Sequence, residues 1–206
     1  AEMIRMALAY GKVPYEDVLP ADFFGKSWSE GAKAEAPFGG LPILVVDGEP
    51  LAQSGSIMRY VAQLSGLMPA DPFAAAKCDA VFEAAQELVT GPTNVNPIVN
   101  VFKGDAFTEK KAVYFAAFPG KLANLARALG DGPFFFGTSP LYCDLAVYHV
   151  FSNTQLLEPT ALDGYPNVDT FMSAVAALPG ISEYLACRPD PVDIGIAPML
   201  RPKSAL

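Results

Sequence analysis

The stretch Pro37-Phe38-Gly39-Gly40-Leu41-Pro42-Ile43-Leu44-Val45-Val46-Asp47-Gly48-Glu49-Pro50-Leu51-Ala52-Gln53-Ser54 decides the reading of the fold. Leu41 to Val46 is an apolar run rich in β-branched residues, which predicts a buried strand. Asp47-Gly48 is a tight hairpin turn signal. Pro50 cannot donate to a ladder, so the return strand is short and lies at an edge. Ser54 then caps a helix running to about Ser65. Ile57, Tyr60, Val61 and Leu64 form its apolar stripe.

Working upstream, Met3, Met6, Ala7 and Tyr10 sit at helical spacing and predict a helix over Glu2 to Tyr10. Gly11 ends it as the C′ residue. Val13 to Leu19 reads as a short strand. Pro20 to Glu35 is irregular and holds the only tryptophan, Trp28. A helix in this position connects two parallel strands of a βαβ unit, and only the second of the two is visible.

Downstream, Gly66 to Pro72 carries Gly66, Pro69 and Pro72 and reads as a linker. Everything after it reads as helical. One helix covers Phe73 to Val89. Gly91 to Pro97 breaks the pattern. Thr108 caps a long helix to Leu129 that Pro119 kinks. Further helices cover Leu141 to Leu157, Val168 to Leu178 and Ile181 to Cys187. Pro189 to Leu206 is an irregular, Pro-rich tail that wraps the surface or contacts a partner. The domain boundaries that follow are 1–66, 73–188 and a tail at 189–206.

The chain of 206 residues is 51% hydrophobic and only 17% charged. An ordinary soluble domain carries roughly 25% charged residues. The thin polar skin points either to a surface covered by a partner or to a large core. The net charge is -8, which disfavours nucleic acid and anionic membranes because both reward clustered Lys and Arg. No stretch reaches the ~18 consecutive apolar residues of a membrane span. Cys78, Cys143 and Cys187 are far apart, which argues against a disulfide framework and against a zinc site. Cys143 and Cys187 read as small core hydrophobes. His149, the only histidine, lies in an apolar run and reads as a core or interface residue.

Four stretches together resemble the glutathione transferase family, sigma class. They are Ala1-Glu2-Met3-Ile4-Arg5 with Tyr15-Glu16-Asp17; Pro37 to Leu44; Leu51-Ala52-Gln53-Ser54 with Ile57, Arg59-Tyr60 and Gly66-Leu67; and Tyr165-Pro166-Asn167-Val168 with Phe171, Leu178-Pro179, Ile181, Tyr184-Leu185 and Arg188-Pro189. The class includes glutathione-dependent prostaglandin D synthases. The resemblance covers nearly the whole chain in the family's order. It implies an α/β plus all-α architecture: a thioredoxin-like N-terminal domain with its first strand absent, then an all-helical glutathione transferase C-terminal domain.

The same resemblance implies a glutathione site. Leu41 and Pro42 would present backbone N–H and C=O groups to pair, strand-like, with the tripeptide; in the family this bond is cis. On the residues alone, Pro42 equally starts a strand. Gln53 and Ser54 lie where a loop becomes a helix, and a hydroxyl with free N–H groups there holds an anion such as the γ-glutamyl carboxylate, or makes an ordinary N-cap. Trp28 and Lys33 would meet the glycyl end, in a loop one residue longer than the usual pattern. Asp79, Glu83, Gln86 and Glu87 are the acidic-helix positions from which a second subunit reaches the ligand amine, and Glu87 is retained. In sigma-type members a Thr caps the core helix and an Asp three residues on answers it. Here Asp144 stands opposite Leu141, so Ser139 or Pro140 must act differently and some stability is lost. The family's first strand and catalytic Tyr lie upstream of Ala1, and Tyr10 and Tyr15 are not substitutes.

The function expected is conjugation of glutathione, as co-substrate, to small electrophiles in a homodimer. Val95, Phe102, Phe107 and Phe151 are the guesses for an apolar pocket, beside their reading as core. A narrower reading is an isomerase that uses glutathione as cofactor. The alternative of another class is a non-catalytic structural subunit docked in a larger assembly, which the low charge and the Pro-rich tail favour. The expected location is cytoplasmic or organellar, with no transmembrane segment.

Overall fold

The computed structural model describes residues 1–90 and 104–188 and divides the chain into two compact units, Ala1–Met68 and Pro69–Leu206. In the first unit the elements are α1 (Glu2–Tyr10), α2 (Pro20–Phe24), a wide turn at Trp28–Ala32, α3 (Lys33–Glu35), a 3₁₀ turn at Pro37–Gly39, β1 (Ile43–Val46), β2 (Glu49–Ala52) and α4 (Ser54–Leu64). The second unit holds α5 (Pro72–Gln86), α6 (Gly104–Leu129), α7 (Tyr142–Leu157), α8 (Pro166–Ala176) and α9 (Ile181–Cys187). The break expected at Gly91 to Pro97 and the tail from Pro189 lie outside the described residues.

The hairpin forms where its residues place it, but β1 is not the buried strand expected: Ile43, Leu44 and Val46 are half-buried and Val45 is exposed, because a two-stranded sheet leaves its faces partly uncovered. β1 and β2 pair antiparallel, with Ile43 opposite Ala52 and Val45 opposite Pro50. Asp47 and Gly48 both take left-handed φ, 50° and 86°, as a two-residue turn compatible with strand twist requires.

No strand forms over Val13 to Leu19. Among the described residues the sheet has two strands, β1 and β2. A strand exists only through its ladder, and the segment is held by side chains instead. Arg5 donates from Nε to Asp17 Oδ2 at 2.7 Å and from Nη2 to Oδ1 at 3.1 Å. Tyr15, Val18 and Leu19 are left exposed.

α1 ends differently from the sequence expectation. Gly11 keeps a helical φ of -74°, and Lys12 takes the left-handed position with φ 52°. Lys12 N–H donates to Ala9 O and Val13 N–H to Leu8 O, which closes a Schellman motif. Gly11 is required for a different reason. A Cβ there would lie 2.5 Å from Ser65 Oγ and 2.7 Å from Ser65 Cα. The close approach packs α1 on α4 and buries Met3, Met6 and Ala7 together with Ile57, Met58, Val61 and Ala62. The stripe expected on α4 is therefore turned: Leu64 is exposed and Tyr60 is half-buried, and Met58 and Ala62 replace them in the core.

In the second unit α5 and α7 make the main packing seam, and α8 covers α6 and α7. Tyr142, Phe82, Phe118, Phe151 and Phe171 are fully buried. Each such side chain contributes roughly 1.5–3 kcal/mol by leaving water. Phe118 meets Phe151 edge-on, with ring centres 6.2 Å apart. Thr108 does not cap α6; it lies one turn inside, because the helix begins at Gly104. Pro119 sits within the helix. Cys187 is exposed rather than core, while Cys78 and Cys143 are buried.

Candidate functional site

The residues after the 3₁₀ turn build a cleft on the first unit. Its walls are Pro37, Gly40, Leu41, Pro42, Ala52 and Gln53, around a small hollow of about 30 Å³. β1 and β2 bring the two sides together, since pairing of Ile43 with Ala52 sets Pro42 beside Gln53. Leu41–Pro42 is a cis peptide bond. Leu41 is 49% exposed. Among the described residues, its N–H and C=O take no part in a turn or loop hydrogen bond.

Gln53 is the N-cap residue of α4, with φ 71° and no side-chain cap bond. Ser54 is the first helical residue and not the cap. Gln53 thus gives the first turn of α4 no side-chain cap beside the cleft, where helix ends favour negative charge. An L residue at positive φ costs on the order of 1 kcal/mol, and such positions cluster at functional sites.

Trp28 and Lys33 lie together. Trp28 is half-buried at the start of the wide turn, and its C=O accepts from Lys33 N–H. Gly31 supplies the turn with φ 122°. Lys33 runs alongside Gly39, whose ideal Cβ would sit 3.9 Å from Lys33 Cε. Its backbone therefore borders the turn that forms the cleft. Lys26 pairs with Glu35.

Glu87 belongs to the second unit, at the C-cap of α5, where it pairs with Lys121. Asp79 accepts from Tyr142 Oη at 2.6 Å and is committed to the seam between α5 and α7. Of the pocket guesses, Phe151 is a core residue and Phe107 is half-buried. Val95 and Phe102 lie outside the described residues.

The cleft also uses Pro37, Gly40 and Ala52, none of which stood out as a contact residue in the sequence. Phe38 is the other surprise. It has φ 55° and is 85% exposed, next to the cleft. The pair of glycines that follows it was the available signal.

Asp144 is a buried carboxylate held by two backbone donors. One carboxylate oxygen accepts from Phe135 N–H at 2.9 Å and the other from Leu141 N–H at 2.7 Å. Burial pushes its carboxyl up to about 6, against the pull of those bonds. Neither Ser139 nor Pro140 is needed as a cap, because Asp144 answers Leu141 from inside α7.

A two-stranded thioredoxin-like unit with a cleft at the cis-proline, followed by a helical unit, defines a glutathione-transferase type of protein. Two family descriptions agree: "Glutathione S-transferase, N-terminal domain" matches residues 1–63 and "Glutathione S-transferase, C-terminal domain" matches residues 95–188. The chain belongs to the glutathione S-transferase family, whose members use glutathione as co-substrate. It is 29% identical to Glutathione S-transferase class-mu 26 kDa isozyme 1 of Fasciola hepatica, over 88% of this chain and 80% of that one. It is also 29% identical to Glutathione S-transferase Mu 2 of Mus musculus, over 90% and 85%. Among solved structures, rat hPGDS complexed with a quinoline superposes with a TM-score of 0.79 at 27% identity, covering 92% of each chain. Among the described residues no single helix is long and apolar enough to cross a membrane.

Proposed function

We propose that the cleft at Leu41–Pro42 binds glutathione and that the protein conjugates it to small electrophiles. The observation that carries the binding reading is the joint wall of Leu41, Pro42 and Gln53. It offers an exposed backbone edge for a peptide and a helix N-terminus for a carboxylate within one cleft. In this reading Leu41 pairs with the cysteinyl unit. Gln53 and Ser54 hold the γ-glutamyl carboxylate, and Trp28 and Lys33 flank the glycyl end. Glu87 of a second copy meets the amine, which makes the working form a homodimer. The sigma-like assignment draws support from the likeness to rat hPGDS, whereas the Fasciola hepatica and Mus musculus relatives named above are of the mu class.

Conjugation rests on family membership rather than on the six residues of the cleft wall, none of which carries a hydroxyl or a base for the thiol. Two measurements therefore test the reading separately. The folded protein should be retained on immobilised glutathione and released by free glutathione. It should also turn over a generic aryl halide with glutathione. Retention without turnover would favour the alternative, a glutathione-binding structural subunit of a larger assembly. Loss of both would reject the reading.

A further inference from the structure

The segment from Lys26 to Glu35 carries both side chains that the proposed site sets at the glycyl end, Trp28 and Lys33, and an ion pair closes it. Lys26 pairs with Glu35. Its side chain crosses the wide turn to do so: an ideal Cβ on Gly31 would meet Lys26 Cδ at 3.7 Å and Nζ at 3.9 Å. Gly31 stands at φ 122°, so the turn presents bare backbone beneath the lysine. Inside this span Ser27 Oγ donates to Glu30 Oε2 at 2.6 Å. Ala32 and Ala36 are buried and tuck the loop into the first unit. Lys33, between them, is exposed and makes no ion pair among the described residues.

An ion pair at the surface adds little to stability, and the side chains of Lys26 and Glu35 are 35% and 53% exposed. What the pair fixes is charge and placement. Glu35 lies two residues before Pro37, a wall of the cleft. Two residues of chain span about 7 Å at most, within the Debye length of about 10 Å at 0.1 M salt. The charges of the loop are Lys26, Glu30, Lys33 and Glu35, which balance. Without Lys26 the loop would be net negative beside a cleft proposed for a ligand that carries two carboxylates.

We propose that Lys26 is a positioning residue for the glycyl end of the ligand. By clamping Glu35 it cancels a carboxylate beside the cleft and keeps Trp28 and Lys33 in place. The site thereby selects tripeptides with a free C-terminal carboxylate. This role rests on the glutathione reading of the cleft and adds to it a residue that acts through Glu35 and Lys33 rather than on the ligand itself.

Trp28 is the only tryptophan of the chain, so its fluorescence reports on this loop alone. The test compares the full chain with Lys26→Gln, Lys26→Arg and the charge swap K26E/E35K. Without ligand, acrylamide should quench Trp28 about twofold more steeply in Lys26→Gln than in the parent, because the loop opens locally. The melting temperatures should stay close, as for any exposed pair. Titrated with glutathione at low salt, Lys26→Gln should bind about 3- to 10-fold more weakly, and the gap should close toward about 1 M salt. With glutathione ethyl ester, whose glycyl carboxylate is masked, Lys26→Gln and the parent should bind alike. Lys26→Arg and the charge swap should restore both quenching and affinity. Equal glutathione affinity in Lys26→Gln and the parent, an equal loss for ester and acid, or a charge swap no better than Lys26→Gln would overturn the role of Lys26. A parent chain that is not retained on immobilised glutathione and shows no change in Trp28 emission would instead reject the glutathione reading, and the selectivity with it. The ligand-free quenching still decides the clamp in that case.

Discussion

The side chain of Asp144 closes the first turn of α7 from within by accepting the Leu141 N–H at 2.7 Å, while its own N–H donates to Leu141 O at 3.0 Å. This reciprocal pair replaces the usual cap in which both partners have polar side chains. Asp144→Ala strands the N–H groups of Leu141 and Phe135 in a buried place. It should cost about 2–4 kcal/mol in urea unfolding at neutral pH. A loss below ~1 kcal/mol would mean that water replaces the carboxylate.

The same carboxyl gives a pH signature. Its folded value, raised to about 6 from 3.8, exceeds the unfolded one. Folding therefore favours the protonated form. The contribution is complete below about pH 4 and is lost as pH rises through about 6. Relative to Asp144→Asn, the parent chain should lose roughly 2–3 kcal/mol between pH 4 and pH 7. Parallel pH profiles for the two proteins would contradict this.

Gly11 and Ser65 form a steric pair with opposite expectations. Gly11→Ala places a methyl against Ser65 backbone and should cost about 2–4 kcal/mol, although its φ suits any residue. Ser65 Oγ is buried without a hydrogen-bond partner among the described residues. Ser65→Ala should be neutral or stabilising by about 1 kcal/mol. Thermal melts of the two variants are the check, and a large loss in Ser65→Ala would show that its hydroxyl has a partner.

Gln53 separates binding from stability. Gln53→Gly relieves the positive φ and should leave the melting temperature equal or higher, by up to about 1 kcal/mol of stability. If the side chain helps to hold the γ-glutamyl end, retention on immobilised glutathione should weaken about 5- to 30-fold. Unchanged retention would remove Gln53 from the site.

Glu87 gives a control in the other unit. Its pair with Lys121 is exposed on both sides, so Glu87→Gln should change stability by less than about 1 kcal/mol. A fall in glutathione affinity in this variant then reports on binding alone. Affinity equal to the parent chain would leave Glu87 as a solvated surface residue.

Local chemistry decided much of this protein in advance. Asp47-Gly48 admits few turns besides the left-handed pair observed, and Pro50 forces a short edge strand wherever it falls. The apolar spacing of α1 and the break before Pro72 depend on nearest neighbours and are legible one residue at a time. The order of elements and the Pro37 to Ser54 motif sufficed for the family. Tertiary structure decided what depends on partners far away in sequence. Val13 to Leu19 has strand composition but no strand beside it, and a ladder cannot be read from one of its rails. Gly11 looked like a turn residue and is a contact residue, because Ser65 approaches it from α4. Leu64 and Met58 exchanged places as α4 rotated onto α1. The cleft wall joins Leu41 to Gln53 through hairpin register, and Tyr142 reaches Asp79 only because α5 and α7 pack against each other. Spacing along the chain carries none of these distances, since side chains far apart in sequence become neighbours only when packing selects one arrangement.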